Sequence, residues 1–439
     1  MDQESISDPL MIEEHVEYPR PPAPHRHINF IGHLTLAAYW FGSNFIWGAL
    51  LGVVNASEVE VLDPLNKAKT LGLLSAVGAT VALIIPLIVG ALSDRCTSRY
   101  GRRSPYMLFG GVLCGLGLIA MFLSFSARNL NLFFGSYFLL QFGSNTALAA
   151  YSGVIPDQVP EDQRGVASGY MAFMSQFSTL LGALAAGIFV NNPLVMYGIM
   201  LVVFATFLAW TLLGMREVPL EKAEPYNWGE YFAGLIAPLR HRDFAWVWIT
   251  RALMMLGFYA IQPFILYYLK DLIGVKNPGK EAGFMIAIIL FGATVSGVLG
   301  GAISDRIGRK PIVYLSSGII AAMSLAFIFC QTMTHVLIAG IIFGLGYGAY
   351  ISVDWALGTD VLPSEQDAGK DMAVWHVSMT FPQAIGGLVG GIILSSGRSM
   401  GDVGEVVKYT RQEFGALFIF SAICFTLGAV LLRNVKGAR

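Results

Sequence analysis

Long apolar runs separated by short polar loops recur twelve times along the chain. They lie at about residues 29–54, 69–92, 105–126, 131–155, 167–190, 194–214, 244–270, 281–303, 311–331, 335–359, 372–396 and 412–432. Most reach the ~20 residues that a helix needs to cross about 30 Å of hydrocarbon. Backbone groups in lipid must be paired within the segment, so each run predicts a membrane helix. Runs this apolar exclude a barrel of short alternating strands.

The loops repeat as well as the runs. Gly90 to Met107, GALSDRCTSRYGRRSPYM, returns in edited form as Gly301 to Tyr314, GAISDRIGRKPIVY. Downstream of each copy a second pair follows, DQVPEDQRG from Asp157 and DVLPSEQDAG from Asp360. The chain therefore reads as a duplicated half, and parallel half-repeats point to a class of transporter. The expected organisation is a cytoplasmic tail (1–28), a six-helix bundle (29–214), a cytoplasmic linker (215–243), a second six-helix bundle (244–433) and a short tail (434–439). The abundant glycine, 49 residues, suits close helix contacts in lipid.

Composition agrees with the pattern: 55% hydrophobic, 13% charged and a mean hydropathy of +0.61. Charge sets orientation. Of the 28 Lys and Arg, eighteen fall on the side of the N-terminus and nine on the opposite side, leaving Arg251 inside a helix. That bias predicts cytoplasmic termini in a multi-pass protein of the cell membrane. A net charge of −1, with basic residues confined to loops, argues against nucleic acid as a partner. Four cysteines without CxxC spacing predict neither a disulfide nor a metal site. No phosphate loop, GxSxG or HExxH occurs, so neither an enzyme nor a bound cofactor is expected.

GALSDR…GRR and GAISDRIGRK resemble the loop signature of the major facilitator superfamily, Gly-x-x-x-Asp-Arg-x-Gly-Arg-Arg/Lys, in each half. The longer SDRCTSRYGRRSPY, with TDVLP…GKDMAVWHV, is similar to the sucrose transporters within the glycoside-pentoside-hexuronide cation symporter group. The resemblance implies an all-α integral membrane fold of two pseudo-symmetric six-helix bundles. It also implies a gating latch formed here by Asp94, Arg95, Arg102, Arg103, Asp157 and Arg164, repeated by Asp305, Arg306, Arg309 and Asp360. In the latch an Asp faces a helix N-terminus and an Arg pairs with acids at neighbouring helix ends. One departure matters: the symporter group carries a coupling acid on its fourth helix, and none stands here between Asn131 and Ile155.

Ionisable residues at membrane depth mark functional candidates. Two stand out, Arg251 in the seventh predicted helix and Asp354 in the tenth. At 1.5 Å per residue both lie roughly 10 Å deep, which predicts an ion pair serving either structure or ion coupling. Other polar residues form stripes at helical spacing. Tyr39, Trp40 and Asn44, Gln141 and Asn145, Gln262, Tyr350 and Trp355, and His376 and Gln383 become candidate substrate contacts. Amides and flat aromatic faces suit a sugar or glycoside. The first expectation is thus a monomeric sugar or glycoside symporter, surrounded by lipid and coupled to a proton or another monovalent cation. The alternatives are an exporter of amphipathic metabolites or drugs, favoured by 29 Phe and 17 Met, and a non-transporting membrane scaffold or sensor.

Overall fold

The computed structural model describes residues 27–215, 217, 219–220, 228–229, 234, 236–362, 368–396 and 407–436. The N-terminal tail, much of the linker and the last three residues lie outside the described residues, as do the side chains of Glu161 and Asp305. Among the described residues twelve long helices carry the fold: α1 Phe30–Leu62, α2 Lys67–Ser93, α3 Ser104–Ser126, α4 Leu130–Ser152, α5 Arg164–Phe189, α6 Pro193–Gly214, α7 Arg242–Ile273, α8 Pro278–Ile307, α9 Arg309–Phe327, α10 Met333–Asp360, α11 Ala368–Ser396 and α12 Arg411–Leu431. No strand occurs among the described residues.

Local sequence sets many of the helix starts. Asn29, Asn129, Asn192 and Thr332 each accept a backbone N–H from the first turn, and Thr410 with Glu413 forms a capping box at α12. Among the described residues, eleven helices are apolar enough to cross a membrane by length and composition. The twelfth, α4, falls short because Gln141, Ser144, Asn145 and Thr146 interrupt its apolar run, and all four are buried.

Two helices run longer than their apolar pattern predicts. A π-helical turn at Leu50–Val54 carries α1 on through Asn55–Leu62. Helix α7 passes a 3-10 turn at Gln262–Phe264 and a π turn at Tyr268–Ile273. Such turns often accompany functional sites. They also correct an expectation: besides Arg251 and Asp354, the acids Glu58, Glu60 and Asp271 and the base Lys67 sit within helices, each largely buried.

The first six helices pack together, the last six do likewise, and the halves meet along α2 against α11 and α5 against α8. Both pairs touch near the face opposite the termini, called the far face below. A Cβ on Gly72 would lie 2.5 Å from the Gly387 carbonyl oxygen, and one on Gly283 2.5 Å from that of Ala183, so glycine permits the approach. Toward the terminal face the same helices part. A Cβ added to Gly90 of α2, or to Gly165 or Gly169 of α5, would meet nothing within 4 Å. The halves thus form a wedge that is sealed on the far face and open toward the face carrying the termini.

Candidate functional site

The far-face seal is ionic. Lys67, fully buried at the start of α2, donates to Glu60 Oε1 of α1 at 2.6 Å and to Asp271 Oδ2 of α7 at 2.8 Å. Glu60 Oε2 also accepts from Lys270 at 2.5 Å. The Lys67 ammonium stands 4.7 Å from the Tyr267 ring centre and 5.4 Å from that of Tyr409. Backbone bonds extend the seam: Tyr267 donates to Ala56 O, and Ala68 N donates to the Tyr409 hydroxyl. One cation from the first half is therefore held by an acid from each half. Over this seal lies a polar pocket of about 590 Å³ lined by Glu60, Lys270, Lys276 and Lys280 among others.

On the terminal face the repeated loops make matching contacts, each inside its own half. Arg103 donates to Ser93 Oγ at 2.9 Å and to Asp157 Oδ2 at 3.0 Å. Arg309 donates to Ser304 Oγ at 2.8 Å and to Asp360 Oδ2 at 3.3 Å. The two serines precede Asp94 and Asp305, so the duplication extends to individual atoms. Gly101 and Gly308, both at φ +98°, turn the chain before these arginines, a conformation that favours glycine. Arg102 also binds Asp157, and Arg103 reaches Asp94 at 2.5 Å. Arg95 donates to Ala91 O of its own helix and Arg164 to Pro156 O, while Arg306 is exposed. The acid at the N-terminus of α3 is Glu217, whose carboxylate accepts from Arg103 N at 2.8 Å and Ser104 N at 3.1 Å. The ion partner of Asp94 thus lies in its own half.

Deep in the second half, Arg251 Nε lies 3.1 Å from Asp354 Oδ2, with side chains 1% and 3% exposed. The contact is close but misaligned, so neither atom completes a hydrogen bond, and Arg251 Nη1 has no partner among the described residues. The guanidinium faces Trp375 at 4.4 Å and Trp355 at 5.7 Å. Tyr350 donates to Asp354 Oδ1 at 3.0 Å. Trp355 is 46% exposed, and His376, next to Trp375 on α11, is also exposed.

Two helical turns from this pair along α7 and α10, toward the far face, is an aromatic chamber of about 110 Å³. Phe258, Tyr268, Phe327, Phe343, Tyr347, Phe414 and Phe418 line it, with Gln262 and Thr179 as its few polar neighbours. Phe258 stacks on Tyr347 at 4.6 Å, and Tyr268 donates its hydroxyl to Phe327 O. The candidate stripe in the first half is arranged differently. Tyr39 is fully buried against Tyr151 at 4.5 Å, and Asn44 donates to Trp40 O. Asn145 donates to Gln141 O and Oε1, and Gln141 to the Tyr137 hydroxyl. These amides bond to one another and to Tyr137 inside the bundle, which uses part of their hydrogen-bonding capacity. Trp40 Nε1 is buried without a partner among the described residues, and Gln383 is half-buried on α11.

The seal of Glu60, Lys67 and Asp271 was not among the sequence-derived candidates. Lys67 and Asp271 are 204 residues apart, and the one signal was their position at the ends of helices 2 and 7. Gly72→Val would press a side chain into the Gly387 backbone and hold the far face apart. It is expected to expose a cysteine introduced at Ser75 to a membrane-impermeant thiol reagent and to lower transport.

Comparison with known proteins agrees with this architecture. The sequence profile described as Major Facilitator Superfamily matches residues 30–368 and 247–438. The chain is 25% identical over 423 residues to Multidrug resistance protein MdtG of Klebsiella pneumoniae (strain 342), covering 93% of this chain and 92% of that protein. Among solved structures, the nucleoside transporter NupG superposes with a TM-score of 0.71 at 13% identity, covering 92% of this chain and 99% of that one. A D-xylose-proton symporter gives 0.69 at 15%, covering 93% and 99%. At such identities these two likenesses speak for the fold alone.

Proposed function

The chain belongs to the Major Facilitator Superfamily and is a multi-pass membrane transporter, not an enzyme; from that premise we propose that it moves amphipathic organic molecules by alternating access. The aromatic chamber carries this reading. At about 110 Å³ it approaches the size of a cavity of about 150 Å³ that binds benzene, and is smaller than the roughly 300–1,000 Å³ of pockets for whole drug-sized ligands. It therefore suits one ring, leaving the polar remainder of a ligand in the open wedge near Arg251, Asp354 and His376. Aromatic walls also favour a lipophilic cation. The similarity to a protein named for multidrug resistance supports the same class.

The excess of Lys and Arg on the terminal face supports an open side in the cytoplasm; in this reading the protein works in the cell membrane as a monomer whose duplicated halves complete the pathway. The far-face seal and the repeated terminal-face loops are the two gates. Latch contacts from Asp94 and its repeat Asp305 across the halves would form when the wedge closes on the cytoplasmic side. Energy comes from a gradient of protons or another monovalent cation, with Asp354 and Arg251 exchanging partners as substrate arrives.

Sugar or glycoside symport is the second reading, favoured by accessible Trp355 and His376 beside half-buried Gln383. Counterflow in proteoliposomes separates the two. Labelled tetraphenylphosphonium should exchange saturably and be displaced by ethidium but not by excess sucrose or maltose. Saturable sugar exchange insensitive to both cations would replace the first reading with the second.

A further inference from the structure

Building on the transport reading, we propose that Glu58, on the far-face end of α1, is a proton-carrying carboxyl that couples transport to a proton gradient. Glu58 is 3% exposed inside the first bundle and accepts from the Tyr197 hydroxyl of α6 at 2.7 Å. Among the described residues it has no ion-pair partner, unlike Glu60, Asp271 and Asp354, which each face a cation. As a carboxylate Glu58 stands uncompensated against a neutral hydroxyl; as the acid it is accommodated, with a proton to donate.

A second observation points to the same place. Asn55, one helical turn earlier on the same face, is 4% exposed, and its Oδ1 is buried without a partner among the described residues. An orphaned acceptor beside a buried carboxyl is suited to receive a water or the acid proton. Farther toward mid-membrane, the Tyr137 hydroxyl of α4 accepts from Gln141, whose Oε1 accepts from Asn145. Polar groups thus run from Glu58 toward mid-membrane along the one helix too polar to qualify as a span by composition.

Neighbouring charges do not compensate Glu58. Tyr197 is a neutral donor, and the Tyr137 hydroxyl is neutral and accepts from Gln141. Lys67, at the start of the next helix, is engaged by Glu60 and Asp271. Helix α5 carries only Arg164 as a formal charge, at its opposite end. Glu58 lies four residues from the end of α1, so at 1.5 Å per residue it is about 6 Å from the far face. Opening the seal brings water to it; closing the seal leaves the polar line toward the wedge. The cycle balances as one proton taken from far-side water onto the carboxylate and one released to water in the wedge.

Glu58→Gln keeps an acceptor for Tyr197 and removes the proton site. In proteoliposomes the variant should retain tetraphenylphosphonium counterflow while losing pH-gradient-driven transport by about tenfold or more, within the usual range of coupling between sites. Infrared difference spectra of the reconstituted protein across a pH titration, with no substrate present, should lose one protonated-carboxyl band in Glu58→Gln and keep it in Asp354→Asn. Tyr197→Phe, which leaves the carboxyl, should keep gradient-driven transport. Retained counterflow with an unchanged response to the gradient, or an unchanged infrared band, would overturn the proposal. Absence of counterflow in the wild type would instead overturn the transport reading on which it rests.

Discussion

Lys67→Met is expected to unseat the far-face seal and to lower transport by about tenfold or more. The methionine keeps much of the side-chain volume but leaves Glu60 and Asp271 facing each other across the halves without their shared cation. Glu60 keeps Lys270, but Asp271 loses its cation, and removing one partner of a buried pair costs about 3–5 kcal/mol. In a two-state transporter about 5.5 kcal/mol moves the populations from 1:99 to 99:1, so a bias of that size displaces most molecules from the state seen here. The readout is labelling of a Ser75→Cys variant, in a Cys96→Ser background, by a membrane-impermeant thiol reagent applied from the far side. Faster labelling than in the Lys67 protein supports the gate. A second change, Asp271→Asn, should restore part of the slow labelling, since one acid is then neutral. Unchanged labelling in Lys67→Met would reduce the cluster to a surface feature without control over access.

The gate was hidden in the sequence for physical reasons. Apolar pattern ends α1 near residue 54, because Glu58 and Glu60 look like loop; the π turn at Leu50–Val54 continues the helix and turns both acids inward. Lys67, Lys270 and Asp271 read as ordinary helix-end charges, and nothing local indicates that the fold brings them together over some two hundred residues. By contrast, the twelve helices and the duplicated loops were legible, since each depends on short-range pattern: run length, capping residues and a motif that occurs twice. Even there, the serines before Asp94 and Asp305 went unnoticed because they carry no charge.

Candidate substrate contacts were legible as stripes but not as a site. Gln141 and Asn145 do lie on one face of α4, yet periodicity cannot distinguish an amide facing a ligand from an amide facing another amide. Here Asn145 donates to Gln141 and Gln141 to Tyr137, so their hydrogen-bonding capacity is partly used within the bundle. The aromatic chamber draws its phenylalanines from α7, α9, α10 and α12, with aliphatic residues of α8 and Thr179 of α5 beside them, and these phenylalanines are indistinguishable by sequence from those facing lipid. That difference is why the substrate proposed above has a ring and a polar end in place of many hydroxyls.

Asp354→Asn is expected to destabilise the protein by about 3–5 kcal/mol, the range for stranding one partner of a buried ion pair. Arg251 is only 1% exposed and already has Nη1 without a partner among the described residues, so the change removes the ion pair that it makes with Asp354 and leaves a buried charge. Its contacts with Trp375 and Trp355 attract the cation but supply no hydrogen-bond acceptor in the plane of the guanidinium. Replacing both partners, Arg251→Met with Asp354→Leu, should recover much of the stability, because an apolar pair of similar volume avoids burying charge. Thermal unfolding of the purified protein in detergent checks this order: wild type and double variant high, Asp354→Asn low. Transport then divides structure from function. If the pair serves only packing, the double variant should exchange tetraphenylphosphonium at the wild-type rate. If the misaligned guanidinium exchanges its partner when substrate arrives, the double variant should fold normally yet lose exchange by about tenfold or more, because no unmatched donor remains to be satisfied by the ligand.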